Sequence, residues 1–116
     1  MNKLLLAGIG MLAMTGAAEA ACSTSSMAGS WRTIGQDNVC TAKLSTSGVI
    51  SGVTCSDGSN YSGTLTLNSS CVLGGSISGN AIKGRTNPIA ASSATLPTLM
   101  IGASTNGKIA FTGFKL

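Results

Sequence analysis

Four cysteines, Cys22, Cys40, Cys55 and Cys71, are the residues best able to do covalent chemistry in this chain, and their setting decides which chemistry that is. A catalytic thiol or a metal site usually needs histidine as base or fellow ligand, and the sequence contains none. Carboxylates are almost as scarce. Beyond the first twenty residues only Asp37 and Asp57 remain, each beside Asn or Gly in a turn-like stretch where Asx side chains normally serve the backbone. A paired-carboxylate hydrolase would need those two turns to converge. Ser and Thr abound, but no base stands ready to activate them, and Lys83 is the lone mid-chain lysine behind an apolar strand. The composition therefore points away from an enzyme, from a cofactor and from a metal centre.

What remains for the cysteines is crosslinking. Lys3, the apolar run from Leu4 to Met14 and the small-x-small sequence Ala18-Glu19-Ala20 read as a secretory signal peptide over residues 1–20, leaving residues 21–116 as one small domain. Such a domain works in an oxidising compartment, the bacterial periplasm or the exterior, where its cysteines are disulfides. The residue three places before Cys22 is Glu19, where a lipobox has an apolar residue, and lipidation would leave three thiols; both argue against a lipid anchor at Cys22. No apolar run past the leader approaches the ~20 residues of a membrane span. The net charge of +4 is scattered over Arg32, Lys43, Lys83, Arg85, Lys108 and Lys115 without a run, and aromatics are few, so nucleic-acid binding is not indicated.

Alternating Val, Ile and Leu, with no helical stripe, imply about eight short strands at 28–34, 39–44, 49–55, 61–67, 72–78, 81–85, 95–101 and 108–115, and a surface loop from Asn87. The fold class is all-β, an antiparallel meander closing into a small barrel, with a β-sandwich as the alternative. Leu44 to Ile50 and Leu67 to Leu73 share one layout, and Ser104 to Ile109 repeats its turn. Gly48 and Gly107 suit a three-residue hairpin loop, a type I turn followed by a left-handed residue.

The meander restricts how the cysteines pair. Cys40 and Cys55 lie at the same end of one hairpin. A two-residue turn at Ser47-Gly48 would set them directly opposite, whereas the three-residue turn moves the partner of Cys40 to Thr54 and requires a bulge. Cys71 sits at the other end, roughly 20 Å away along residues 61–67 at ~3.3 Å each, far beyond the ~7 Å that bridged Cα atoms tolerate. Cys22 precedes the first strand and starts at that same end, so the pairs are Cys40–Cys55 and Cys22–Cys71.

Gly29-Ser30-Trp31 on the first strand, ahead of such a meander, resembles the opening of the calycin superfamily, which includes lipocalins, avidins and small bacterial inhibitors of secreted metalloproteases. The resemblance implies that Gly29 bends the backbone at the barrel floor, that Trp31 closes the floor, and that Lys115 of the last strand covers the tryptophan. The stretch Met27 to Arg32 followed by Cys40 to Leu44 is most similar to the metalloprotease inhibitors, although a bridged Cys22 would tether the tail that those proteins insert into the protease. Biotin sites of avidins are walled by several tryptophans, and here Trp31 stands alone. Without the resemblance, Trp31 is simply a core residue.

The expectation is an exported, non-enzymatic binding protein whose partner is an extracytoplasmic protein or a small apolar ligand at the open end of the barrel. Strands this short leave little internal volume, which tilts the balance toward a protein. The alternative is a structural component of the bacterial surface.

Overall fold

The computed structural model describes residues 22–87 and 97–116. The expected leader, 1–20, and most of the expected loop after Asn87 lie outside them. A 3-10 turn, Thr24–Met27, leads into eight strands: β1 Gly29–Gly35, β2 Val39–Leu44, β3 Ile50–Cys55, β4 Gly63–Leu67, β5 Val72–Ile77, β6 Asn80–Thr86, β7 Leu99–Ser104 and β8 Ala110–Lys115. They form one antiparallel sheet in the order β3-β2-β1-β8-β7-β6-β5-β4. Because the first and last strands pair, Trp31 opposite Lys115 and Gly35 opposite Phe111, the meander curls round on itself. Its edges β3 and β4 are not paired with each other; backbone bonding across this gap is made just before β3, by the Val49–Thr64 bridge and the bond from the Leu65 amide to the Gly48 carbonyl.

Period-2 patterning produces the curl by giving each strand one inward face. Trp31, Cys40, Ala42, Leu44, Leu65, Leu67, Leu73, Ile77, Ile82 and Met100 are all buried. Some inward positions carry no side chain. A Cβ on Gly84 would strike the Ile101 carbonyl of β7, so only glycine lets β6 and β7 lie this close. The hairpin joining β2 and β3 turns through Ser45–Gly48, with Gly48 at φ +85° and its amide bonded to the Ser45 carbonyl. The register then shifts between Thr41 and Lys43, a bulge that brings Cys40 opposite Cys55.

The seventh strand differs from the sequence pattern. It occupies Leu99–Ser104 rather than 95–101, of which 95 and 96 lie outside the described residues. Pro97 is buried just ahead of it, and the Thr98 and Leu99 amides donate to Asn87 Oδ1, while the Thr98 and Leu99 carbonyls accept from the Lys115 and Asn87 amides, so a side chain and the backbone together receive the chain here. Gly102-Ala103-Ser104, which looks like a turn, stays in the sheet because the Phe111 ring covers Gly102.

Candidate functional site

The turns alternate between two ends of the curled sheet, and the two ends differ chemically. One end is shut. Met27 is fully buried beneath it, Trp31 is 2% exposed, and Trp31 Nε1 donates to the Met27 carbonyl at 2.8 Å. The Cys22–Cys71 disulfide pins the 3-10 turn to the β4–β5 turn, and Thr24 Oγ1 accepts from the Leu67 amide at 3.0 Å. Lys115 reaches in beside Trp31, its Nζ 5.9 Å from the ring centroid. Among the described residues that buried ammonium has no hydrogen-bond partner, and the π face of Trp31 is the group beside it that can offset its lost hydration. Gly29, at φ +134°, leaves space for this side chain, since a Cβ there would stand 3.0 Å from Lys115 Cε.

The other end is open, and a cavity of about 370 Å³ runs inward from it. Its inner wall is apolar, built from Trp31, Ala42, Leu44, Ile50, Leu65 and Met100. Its mouth is polar and comes from the turns after β1, β3, β5 and β7: Asp37, Asn38, Asp57, Ser59, Asn60, Ser78 and Lys108 all border it. Tyr61 and Thr33 face each other across the wall, hydroxyl to hydroxyl at 3.4 Å. The Cys40–Cys55 disulfide ties β2 to β3 beside the mouth, and Cys40 itself lines the cavity.

Asp57 organises part of the rim. Its Oδ1 accepts from the Ser59 hydroxyl at 2.6 Å and the Ser59 amide at 3.0 Å, and Asn38 Nδ2 donates to the same cluster. The Ser59 hydroxyl first, then the Ser59 amide and Asn38, hold this carboxyl below the usual carboxylate range, so the rim stays anionic at Asp57. Asp37 and Asp57, separate turn residues in the sequence, both border the mouth. Asp57 is engaged by the hydrogen bonds of its own turn, and the wall behind the mouth is apolar.

The residues that sequence patterning overlooked, Asn38, Ser59, Asn60 and Tyr61, belong to connections. Their shared signal is that each follows an even number of strand reversals from the others, and so lands at one end. Among the described residues no group of three His, Cys, Asp or Glu side chains gathers, and no helix is long and apolar enough to cross a membrane. Comparison of the chain with protein families, with curated proteins and with solved structures finds no match.

Proposed function

We propose that this protein is an exported binding protein that holds a small, largely apolar ligand inside a calycin-like barrel, the polar end of the ligand resting on the mouth. One observation carries the reading. A cavity of about 370 Å³, floored by Trp31 and rimmed by Asn38, Asp57 and Ser59, has the size, apolar wall and sparse polar edge of a ligand pocket. At ~30 Å³ per water it would hold about a dozen waters, or a ligand of about a dozen to twenty non-hydrogen atoms. The buried Trp31 with Lys115 beside it supports the likeness to calycins, and two disulfides in so small a domain fit an oxidising compartment.

The protein-inhibitor reading has less support. With cleavage after Ala20, only Ala21 would precede Cys22, which is bonded to Cys71, and one residue cannot enter a protease cleft.

Trp31 is the sole tryptophan and lines the cavity, so its fluorescence reports occupancy directly. Titration with a panel of aliphatic and aromatic amphiphiles should give saturable, one-to-one changes for some members. Ala42→Phe, which projects a ring into the cavity, should weaken that binding at least tenfold. A panel without a single saturable response, together with an organic extract of the exported protein that contains no small molecule, would refute the proposal.

A further inference from the structure

The outer face of the curled sheet carries a second chemistry. Five of the seven exposed large apolar side chains among the described residues, Ile34, Val39, Leu99, Ile101 and Phe114, lie on one part of it. The ladders place them side by side. Val39 pairs with Ile34, Ile34 and Ile101 both pair with Thr112, and Leu99 pairs with Phe114. The crest of the convex face over β1, β8 and β7 is therefore greasy, with Ile101 60% exposed and Ile34 48%.

Cations flank this crest on both sides. Arg32, next to Phe114 in the ladder, and Lys43, next to Ser30, stand exposed on the β1–β2 side. Arg85, next to Ile101, and Lys83, next to Ala103, stand exposed on β6. Arg32 and Arg85 are three strand spacings apart, about 14 Å at ~4.8 Å per strand. Neither aspartate is on the strands of this face: Asp37 lies in the turn at its Ile34–Val39 end and Asp57 in the turn after β3, both bordering the cavity mouth.

We propose that this face docks on an anionic lipid bilayer. A convex surface laid on a membrane sinks deepest along its crest and meets the headgroups along its flanks. Here the crest is Ile34, Ile101, Leu99 and Phe114, which gain by leaving water, and the flanks are Arg32, Lys43, Lys83 and Arg85, which meet lipid phosphates. An acidic protein partner would find the charges divided by an apolar ridge, whereas a bilayer presents those two chemistries at those two depths. The inference does not depend on what occupies the cavity.

Co-sedimentation of the mature protein with extruded vesicles tests it. Binding should be clear to vesicles of equal parts phosphatidylglycerol and phosphatidylcholine, weak to phosphatidylcholine alone, and reduced in high salt. Arg32→Gln with Arg85→Gln should weaken binding about 25-fold, roughly fivefold per charge. Ile101→Ser with Phe114→Ser should weaken it at least tenfold with the circular dichroism spectrum unchanged. Equal binding to both vesicle types, binding to neither, or indifference to the arginine changes would overturn the proposal. So would a dimer in sedimentation equilibrium that the same serine variants dissociate, because the face would then belong to a second copy of the chain.

Discussion

Losing the Cys22–Cys71 disulfide should cost more than losing Cys40–Cys55, and part of that cost should be recoverable by a single glycine. The bridges span 49 and 15 residues respectively. Crosslinking removes unfolded-chain entropy that grows with the logarithm of the loop, which gives about 4 kcal/mol for the longer loop and about 3 kcal/mol for the shorter. The native states differ in the same direction. Cys40 and Cys55 face each other in a ladder that holds without the bond, whereas the segment from Cys22 to Ala28 makes no strand pairing and is held by its bridge, the buried Met27 and the bonds of Thr24 and Met27. Cys71 has a further feature. At φ +63° it holds the left-handed position that Gly48 and Gly107 take in the sister turns, a conformation costing a non-glycine residue about 1–2 kcal/mol. Cys22→Ser with Cys71→Gly should therefore be about 1 kcal/mol more stable than Cys22→Ser with Cys71→Ser, after the extra chain entropy of glycine is subtracted. Urea midpoints at a common slope read all three variants. In a domain of this size each kcal/mol moves the thermal midpoint by about 4–8 °C, so a 1 kcal/mol difference is well resolved. A larger loss from opening Cys40–Cys55, or no gain from glycine at position 71, would refute the reasoning.

Trp31→Phe should cost about 1–3 kcal/mol, because it strands the buried Met27 carbonyl; a thermal midpoint within a degree of the parent would count against that bond. Gly84→Ala should cost about 1–3 kcal/mol through its clash with the Ile101 carbonyl and should speed amide exchange along β6 and β7, while unchanged protection would contradict the close approach. Asp57 has a depressed pKa in the folded state, so its contribution is complete above the ordinary value of about 3.9 and disappears as pH falls through the folded value. Ser59→Ala should raise the Asp57 pKa toward the ordinary range in a carboxyl NMR titration and shrink the acid-dependent part of stability below about pH 4, and an unmoved titration would remove Ser59 as the cause.

Much of the architecture could be read from residue order, because it is local. Period-2 burial marks strands wherever Val, Ile and Leu alternate with Ser and Thr, and Gly48 and Gly107 mark turns that only a left-handed residue completes. Once those turns are placed, strand lengths sort the cysteines between two ends, and the bulge at Thr41–Lys43 is the single residue needed to bring Cys40 onto Cys55. The seventh strand departs from the pattern because the same local signals are ambiguous there. Thr98 and Leu99 are received by the Asn87 side chain, and Gly102 is tolerated in a strand only because Phe111, nine residues on, covers it.

The chain order alone thus determined, outside the seventh strand, which segments are strands, where they reverse, and which cysteines could meet, since each depends on neighbours a few residues apart or on counting along a meander. Tertiary structure decided how far the sheet curls, that β1 pairs with β8 while β3 and β4 are not paired with each other, and that an apolar cavity stays open behind a rim of turn residues. Those outcomes depend on what lies against inward positions, such as the Phe111 ring over Gly102 or the Ile101 carbonyl against Gly84. Those contacts are made between strands, by close packing that no local pattern encodes.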